Sequence, residues 1–540
     1  MLKNALIFIM ASFIMACSSK KQKVDLMILD ANIYTVDSAF GWASAMVITD
    51  GKIVETGSDE HLLAAYEPEE KIFLDGKTIL PGFIDAHCHF TGYATDMWKC
   101  DLVGTNSYGE VLDKLKAYAA NAPMYWLYAR GWDQNDWKDI SYPDNSELNK
   151  MFPNRPVLLK RIDGHAGIAN KKALQLAGID ANTKIAGGKI ELINGEPSGL
   201  LIDNALDLVD KVVPAISDSL AKVYIQKCEK LCFSYGLTGV HDCGISEHTV
   251  DILKNMNLQM KVYAMLSDKD AYYDTWLKSG PLKLNNLHVG GFKVYADGAL
   301  GSRGACLLHP YADENNWHGF LLAQKTHFEN IAEKLIHSNF QMCTHAIGDS
   351  ANRVILNAYA KVLQGKNNKR WRIEHAQVVD TSDFHLFGDY NIIPSVQPTH
   401  ATSDMYWASQ RLGEAHMKGA YAYKKLLAQN NNIALGTDFP VEDISAIKTF
   451  YAAVMRKDKN GNPLNGFQIS DALSRQETLR GMTIWAAYAA FEEKEKGSLE
   501  KGKAADFIVL SNDLMTCKDS MILNTKILAT YINGKMVYKQ

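Results

Sequence analysis

The sequence predicts an α/β fold: a (β/α)8 (TIM) barrel that carries an inserted subdomain and is joined to a composite β-sandwich formed by the N- and C-terminal segments. Three observations predict it. In the long middle of the 540-residue chain, apolar β-like runs alternate with amphipathic helical stretches, which is typical of a parallel sheet covered by helices. Short β-prone runs with Gly turns occur near both ends of the chain. Residues 101–214 are more than one barrel crossover requires.

The chain begins with a predicted export signal. A basic residue precedes an apolar run over residues 5–16, far shorter than the roughly 20 residues of a membrane-spanning helix. The run ends in IMAC, which resembles a bacterial lipobox, so residues 1–16 are predicted to be a lipoprotein signal peptide, Cys17 the lipidated residue and residues 17–23 a tether. We therefore expect a bacterial cell-envelope lipoprotein, periplasmic or on the outer membrane, held at the membrane by its lipid anchor only. A cleaved secretory signal with an incidental cysteine is the alternative.

The two ends of the remaining chain share one sequence pattern. Residues 24–80 and residues 496–540 contain short β-prone runs with the hairpin dipeptides Asp-Gly and Asn-Gly. Each piece is too small to hold a core alone, so the two are predicted to pair as the N-terminal and C-terminal portions of one β-sandwich.

Residues 81–495 are predicted to form the barrel, with the insertion at about residues 101–214. About eight strand–helix units in one domain favour a closed barrel over an open doubly wound sheet. No GxGxxG or GxxxxGK[ST] motif follows a predicted strand, which weakens the nucleotide-binding alternatives.

The first predicted barrel strand, GFIDAHCHF, carries a candidate metal-binding pair. Asp85, His87 and His89 share one face of the strand because strand side chains alternate with a period of two. Two imidazoles at a strand end can bind one divalent ion, although an HxH pair alone is a weak signal.

Later predicted strands end in further residues that can bind metal, namely Lys293, His345, His375 and Asp438. In a barrel, the C-terminal ends of all strands meet at one mouth. Residues far apart in sequence therefore converge there, and together with the first strand they predict a metal site.

A series of longer motifs occurs in order along the chain: LPGFIDAHCHF, RGWDQNDW, RPVLLKRIDGHAGIANKKAL, GGFKVYADGALGSR, THAIGD, RIEHAQ, VQPTH and LGTDFPV. Through these motifs the sequence resembles the amidohydrolase superfamily of metal-dependent hydrolases and, within it, the YtcJ-like (amidohydrolase 3) branch that includes N-substituted formamide deformylases. The resemblance covers about residues 24–540. It implies a (β/α)8 barrel beside a composite β-sandwich.

The resemblance also implies a ligand set for two divalent metal ions, with zinc as the expected metal. His87 and His89 are then ligands of one ion with Asp438 beside it, and His345 and His375 are ligands of the second. Asp438 is the candidate catalytic general base, which takes a proton from water and passes it to the leaving amine.

Lys293 falls where related enzymes carry an N-carboxylated lysine that bridges two ions. An ammonium would be repelled by divalent cations, whereas a carbamate is an anionic oxygen ligand. Burial among apolar neighbours such as Phe292 and Val294 would let the amine lose its proton and take up CO₂. The alternative is that Lys293 pairs with Asp297 or another carboxylate over a mononuclear site.

Several further residues are candidates for contact with substrate. Trp132 of RGWDQNDW is placed in a pocket wall, and Asp297 and Arg303 are expected to orient Lys293 from behind. For His165, a structural role is an equal alternative. The full set is His165, Asp163, Trp132, Asp297, Arg303, Gln397 and His400.

Composition narrows the classes of function. Lys and Arg total 57 against 61 Asp and Glu, a net charge of −4, so no nucleic-acid partner is expected. A small-molecule substrate is expected, and a homo-oligomer stays an open alternative. The 9 cysteines contain no CxxC pair, which argues against a zinc ribbon or a dense disulfide framework.

The leading functional prediction is a metal-dependent amidohydrolase that cleaves a non-peptide C–N bond of a small amide, N-acyl or N-formyl compound. A deaminase, lactonase or phosphotriester-type hydrolase would use the same metal site and differ in the pocket lining. A non-catalytic binding lipoprotein is the third alternative. It predicts decay of the metal set, whereas all six candidate positions hold residue types that bind metal.

Overall fold

The structure is a computed structural model that describes residues 21–122 and 124–540. The predicted signal peptide, Cys17 and most of the tether lie outside the described residues. Within the described ranges, none of the helices has the length and apolar character needed to cross a membrane.

The strands are numbered in chain order. They are β1 (Gln22–Tyr34), β2 (Trp42–Ala43), β3 (Ala45–Thr49), β4 (Lys52–Gly57), β5 (Tyr66–Pro81), β6 (Phe83–Cys88), β7 (Cys100–Asp101), β8 (Leu127–Trp132), β9 (Val157–Arg161), β10 (Ala166–Ala169), β11 (Gly188–Ile193), β12 (Glu196–Asp203), β13 (Leu237–Ile245), β14 (Lys261–Ser267), β15 (Leu282–Leu284), β16 (Leu287–Tyr295), β17 (Gln341–Ala346), β18 (Arg372–His375), β19 (Ile393–Val396), β20 (Ala434–Leu435), β21 (Phe507–Leu510), β22 (Ile527–Ile532) and β23 (Lys535–Lys539).

The α-helices follow the same convention. They are α1 (Asp59–Ala65), α2 (Phe90–Asp96), α3 (Tyr108–Ala119), α4 (Ser146–Met151), α5 (Lys171–Leu176), α6 (Asn204–Asp210), α7 (Asp218–Ser234), α8 (Glu247–Lys254), α9 (Asp270–Ser279), α10 (Lys325–Ile336), α11 (Asp349–Leu363), α12 (Phe384–Asp389), α13 (Pro398–Asp404), α14 (Ala408–Met417), α15 (Tyr423–Asn430), α16 (Ala446–Met455), α17 (Arg475–Gly481) and α18 (Ile484–Ala489).

Eight parallel strands form the barrel in the order β6-β13-β14-β16-β17-β18-β19-β20. Every residue of β17 and β18 is buried, as expected for strands covered by helices on the outside and packed side chains on the inside. The first and eighth strands meet through their C-terminal ends. There the Asp438 amide donates to the His87 carbonyl (2.7 Å) and the His89 amide donates to the Phe439 carbonyl (2.9 Å). The predicted fold class is confirmed.

Strands β7 to β12 form a separate six-stranded sheet that interrupts the barrel between α2 and α7. Apolar side chains such as Trp132, Leu159 and Leu201 pack on its two faces. His165 precedes β10 and Asp203 ends β12, and both lie where the inserted sheet meets the barrel loop that begins at Gly298.

A third sheet joins the two ends of the chain in the order β23-β22-β21-β5-β1-β3-β4, with β2 paired to β1. Leu26 and Ile28 of β1 share a core with Phe507 and Tyr531 from the C-terminal segment. The alternate residues of β1 pack on the opposite face against Leu62 of α1. The predicted sandwich is therefore one continuous sheet whose two halves enclose a common core.

Candidate metal centre

His87 of the first barrel strand and His89, just after that strand, each point one ring nitrogen at a common centre. His87 is fully buried, and its Nδ1 lies 2.6 Å from Glu374 Oε2 while its Nε2 faces the centre. His89 directs Nδ1 at the Cys243 carbonyl (3.0 Å) and Nε2 at Asp438 Oδ1 (3.2 Å). Because each Nδ1 is held by an acceptor, each Nε2 lone pair is free to bind a metal.

Burial and the nearby Lys293 ammonium lower the pKa of His87 to about 4. The ring is therefore neutral at physiological pH, which is the form that binds metal.

Asp438 lies between three imidazoles. Its Oδ1 is 3.5 Å from His87 Nε2 and 3.2 Å from His89 Nε2, and its Oδ2 is 3.6 Å from His400 Nε2. Burial acts to raise the pKa of Asp438, but the imidazoles of His89 and His87 beside it hold it well below its usual range. The carboxylate is thus ionised in the folded protein.

The side chains form two groups that share Asp438. The first is His87, His89 and Asp438, and the second is His375, His400 and Asp438; within each group the ligand atoms lie within 4.8 Å of one another. The His375 and His400 rings are parallel, with centroids 5.8 Å apart.

These groups fit divalent ions on the evidence of unpaired polar atoms. His375 Nδ1, His400 Nε2 and Asp438 Oδ1 are all buried and have no hydrogen-bond partner among the described residues. A buried polar atom without a partner is costly, and a cation bound between these side chains would supply the missing partner. The donor set of imidazoles and a carboxylate suits zinc or a related transition metal.

Lys293 lies against the first group, with Nζ 3.1 Å from His87 Nε2. Its strand neighbours Phe292 and Val294 point to the opposite side, so the expectation that they lower its pKa is wrong. Burial does act to lower the pKa of Lys293, but the acidic groups of Cys243 and Tyr295 outweigh it and the pKa is raised.

Lys293 makes no ion pair in the described part of the chain, so the predicted alternative, an ion pair between Lys293 and Asp297, is wrong. Instead, Asp297 accepts backbone N–H groups from Cys306 (2.8 Å), Ile347 (3.0 Å) and Gly348 (2.8 Å). Asp297 thus fixes the loop that follows β17. The expectation that it orients Lys293 is wrong.

His345, predicted as a ligand of the second ion, lies beside the second group but is not a member of it. Its ring centroid is 4.5 Å from that of His375, whereas its Nε2 is 3.5 Å from the Gly298 carbonyl and 3.6 Å from Asp297 Oδ1. His400, predicted only as a substrate contact, takes the place in the group.

A cavity of about 920 Å³ opens over the two groups. Among the predicted residues, those that line it are His89, Asp163, His165, Lys293, His345, His375, His400 and Asp438. Tyr295, Gln377 and Asp404 also line it and were not predicted from the sequence. Tyr295 lies two residues after Lys293 on the same strand face, so the period of two would have found it.

Two predicted substrate contacts are wrong because their side chains are used elsewhere. Trp132 is fully buried in the core of the inserted sheet, where its Nε1 donates to the Leu159 carbonyl (3.0 Å). The Arg303 guanidinium binds Asp313 (2.9 Å) and does not line the cavity.

Gln397 is also buried outside the cavity lining, and its Nε2 lies 3.4 Å from the Ser395 carbonyl. Its predicted contact with substrate is not supported by this position.

Two predicted contacts from the inserted sheet do reach the cavity. Asp163 binds the Arg161 guanidinium and accepts the His165 amide (3.0 Å), so it shapes this wall. The His165 ring centroid lies 5.2 Å from that of His345. Burial acts to lower the pKa of His165, but its hydrogen bond to Asp203 outweighs this effect and raises it.

Glu374 is the residue at this centre that sequence reasoning missed. Burial acts to raise its pKa, but the interaction and hydrogen bond with His87 lower the pKa of Glu374 to about 2, so the carboxylate is ionised and orients His87. Strand alternation would send Glu374 away from its neighbour His375. The left-handed backbone of His375 (φ +74°) breaks that alternation and lets both side chains face inward.

Comparisons with known proteins agree with this geometry. The model of the amidohydrolase family matches residues 72–538. YtcJ of Bacillus subtilis (strain 168) is 33% identical over 525 residues, covering 94% of this chain and 98% of that protein. The N-substituted formamide deformylase of Arthrobacter pascens is 26% identical over 96% of this chain and 99% of its own.

Among solved structures, an uncharacterised metal-dependent hydrolase from Pyrococcus horikoshii OT3 superposes with a TM-score of 0.74 at 26% identity. The match covers 92% of this chain and 99% of the other. The likeness therefore spans the barrel, the inserted sheet and the composite sheet together.

Proposed function

Because this chain belongs to the amidohydrolase family, as a metal-dependent hydrolase, we propose that it hydrolyses a non-peptide C–N bond of a small amide, N-acyl or N-formyl compound. The observation that carries the proposal is the pair of ligand groups sharing Asp438 beneath the cavity. Similarity to the formamide deformylase supports an amide or formamide carbon as the reacting centre.

Two divalent ions, with zinc as the expected metal, belong to this proposal. The residues that would hold them are His87, His89 and Asp438 for one ion, and His375, His400 and Asp438, with His345 beside them, for the other. When bound, such ions supply a Lewis acid for the carbonyl oxygen and lower the pKa of an attacking water to about 7.

The proton transfers fall to Asp438. Its ionised carboxylate can take the proton of the attacking water and pass it to the leaving nitrogen. Glu374 contributes by holding His87 in the Nδ1–H tautomer, which keeps Nε2 directed at the centre.

Lys293 is proposed to be carboxylated when metal is bound. The free ammonium lies 3.1 Å from His87 Nε2, where it would be repelled by a cation, whereas a carbamate would bind one. Lys293→Ala should lose at least about tenfold in metal affinity and most of the activity, and short carboxylic acids should restore part of both. Metal content and activity equal to wild type without added acid would contradict the bridge.

The function is tested by a release assay on metal-analysed protein. A panel of N-formyl amines, N-acyl amino acids, cyclic amides, aminopurines, lactones and phosphotriesters is incubated with wild type and Asp438→Asn, and amine, ammonia, acid or alcohol is quantified. We expect amine release by wild type with close to two metal ions per chain, and a loss of about 10²–10⁴-fold in Asp438→Asn. Asp218→Asn, an exposed aspartate outside the cavity, is the matched control.

The panel separates the alternatives. Ammonia from an aminopurine would identify a deaminase, and turnover confined to lactones or phosphotriesters would identify those hydrolases. Either result would overturn the amide proposal while keeping the metal centre. Protein without bound metal after growth in zinc-replete medium would overturn the metal mechanism.

The location is also a proposal: the mature chain is a lipoprotein of the cell envelope anchored at Cys17. Labelling with a fatty-acid analogue should mark wild type but not Cys17→Ser, and the variant should move to the soluble fraction. Equal labelling of both proteins would contradict the anchor.

A further inference from the structure

The inserted sheet contributes a His–Asp pair to the cavity of the barrel. His165 Nδ1 lies 2.7 Å from Asp203 Oδ1, and the Asp203 amide donates to the His165 carbonyl (2.8 Å). Asp203 therefore holds both the ring and the backbone of His165. The His165 ring lines the cavity beside His345, which in turn lies beside His375 of the second ligand group.

The backbone of Asp203 is strained. Its φ of +50° with ψ of −126° is a conformation that residues with a Cβ rarely adopt. Asp203 precedes α6, yet its side chain makes no capping hydrogen bond to that helix. The strained backbone is thus not needed to cap the helix. The contact that this conformation does make is the one between the Asp203 side chain and His165.

The barrel loop after β16 leaves room for the Asp203 carboxylate. A Cβ on Gly298 would lie 2.6 Å from Asp203 Oδ2, and a Cβ on Gly304 would lie 2.5 Å from it. Both glycines belong to the GALGSRG segment, and neither has a positive φ, so the close approach is what requires glycine there. The inserted sheet and this barrel loop therefore pack closely around the Asp203 carboxylate.

The pairing decides which ring nitrogen is available. In the neutral ring, Nδ1–H donates to Asp203, as an acceptor carboxylate dictates, and Nε2 carries the lone pair. Nε2 has no hydrogen-bond partner within the ranges that the structure describes. Since the ring lines the cavity, Nε2 is the atom that a molecule in the cavity meets.

We propose that His165, held by Asp203, is a catalytic residue that accepts a hydrogen bond from the N–H of the scissile amide and so selects substrates whose amide nitrogen carries a hydrogen. The inference rests on the proposed amide hydrolysis and names its substrate class. A hydrogen bond from N–H to Nε2 fixes the plane of the amide over the ligand groups, leaving the nitrogen lone pair free to receive the proton from Asp438.

The test uses a matched pair of substrates on metal-loaded protein at pH 8.5. N-benzylformamide carries the N–H, and N-benzyl-N-methylformamide lacks it. Wild type should prefer the first in kcat/KM. His165→Ala should lose about 10–100-fold on N-benzylformamide and less than about threefold on the methylated compound, with unchanged metal content. His248→Ala, which removes the ring of an exposed His–Asp pair with Asp218, should leave the preference unchanged.

Asp203 is tested by two variants. Asp203→Asn should reduce the preference because the ring is no longer fixed in one tautomer. Asp203→Gly should reduce it equally while keeping or raising Tm, because glycine tolerates the backbone conformation. Equal loss on both substrates, loss of metal in His165→Ala, or a wild-type preference in both Asp203 variants would overturn the proposal.

A binding experiment separates this inference from the proposed function. Calorimetry with metal-loaded Asp438→Asn should show tighter binding of N-benzylformamide than of the methylated probe, and the additional change His165→Ala should remove the difference. Binding with this contrast but no hydrolysis by wild type would overturn the function alone. Hydrolysis or binding without the contrast would overturn the role of His165, and failure of both probes to bind or react would overturn both proposals.

Discussion

Carboxylates with opposite tasks surround the rings of the candidate centre. Asp438 faces the Nε2 atoms of His87 and His89, whereas Glu374 lies behind His87 on Nδ1. Both carboxylates are ionised because the imidazoles lower their pKa values against the effect of burial. One carboxylate is therefore free to bind metal and carry protons, and the other fixes a ring.

Glu374→Gln should lower metal affinity about 10–100-fold, because a neutral amide no longer fixes the Nδ1–H tautomer of His87. Competition with a chelator of known affinity measures this directly. Glu229→Gln is the matched control, since Glu229 is a buried carboxylate that accepts two backbone amides outside the centre. Metal affinity equal to wild type in Glu374→Gln would show that Glu374 does not position His87.

Asp404 is a residue whose burial should be visible in the pH dependence of stability. Its Oδ2 accepts from Tyr421 (2.8 Å) and Gln377 (3.0 Å), and burial raises its pKa to about 7. Between pH ~3.9 and pH ~7 the folded protein keeps a proton that the unfolded chain has lost, so this group's stabilisation falls as pH rises through that window.

Asp404→Asn removes this proton, so Tm should fall less between pH 5 and pH 8 in the variant than in wild type, by a few °C. Thermal unfolding followed by circular dichroism at both pH values measures the difference. Asp113→Asn, at an exposed position of α3, should behave as wild type. A variant whose Tm gap equals that of wild type would contradict the raised pKa of Asp404.

At this site, the sequence predicted where residues lie along the strands better than it predicted where their side chains point. That Lys293, His375 and Asp438 lie at or close to the C-terminal ends of separate barrel strands was readable from apolar runs that stop near a polar residue. The direction of a side chain at such an end depends on backbone angles that no pattern encodes. His375 and Asp438 both have positive φ, and at His375 this conformation places its ring on the same side of the strand as Glu374, which is why Glu374 was missed.

At the scale of elements, the centre depends on how the barrel closes. Strand β20 has only two residues, Ala434–Leu435, and the chain then crosses to β6 through contacts of the 436–439 segment. Asp85 accepts the Thr437 amide (3.0 Å) and the His87 amide (3.1 Å) with the same oxygen. Asp85 thus ties the segment that carries Asp438 to the strand that carries His87.

Gly436→Ala should disturb this closure. A Cβ at Gly436 would lie 2.5 Å from the His87 backbone nitrogen and 2.8 Å from its carbonyl oxygen, so the backbone must move. We expect a loss of about 1–3 kcal/mol in the free energy of unfolding, together with weaker metal binding. Denaturant unfolding and metal analysis measure the two effects.

Gly109→Ala provides the matched control for this substitution. Gly109 lies on an exposed face of α3 with space for a methyl group, so alanine should leave metal binding unchanged and stabilise the helix slightly. Unaltered stability and metal content in Gly436→Ala would contradict a close approach at the barrel seam.

The elements themselves were largely predictable. The alternation of apolar runs and amphipathic stretches identifies the eight parallel strands, because only buried strands lack a polar face. The path of the third sheet was not predictable. Whether strands from the two chain ends form two stacked layers or one continuous ladder depends on which edges pair, and β5 with β21 is a pairing over more than 400 residues of sequence.

At the scale of the whole molecule, the C-terminal strands complete a sheet that the N-terminal strands begin. Strand β21 pairs with β5, and Thr530 of β22 donates to the Phe233 carbonyl of α7 (2.7 Å). The third sheet is thus joined to a barrel helix as well as to itself.

A chain that ends at Lys501 should therefore fail to fold, because it exposes the β5 edge and the apolar face that Phe507 and Tyr531 cover. Size-exclusion chromatography should show aggregates. A chain that ends at Asn533 loses only the edge strand β23 and should stay soluble with a lower Tm. Soluble, metal-loaded protein from the shorter chain would show that the barrel is independent of this sheet.

The two walls of the cavity have different origins, and this has a consequence for how the protein changes over time. Every residue of the two ligand groups comes from the barrel, whereas Asp163 and His165 come from the inserted sheet. Substitutions or exchanges confined to that insertion would alter which molecules are accepted while the hydrolytic centre is inherited intact. Proteins that descend from one ancestral hydrolase can in this way come to accept new substrates.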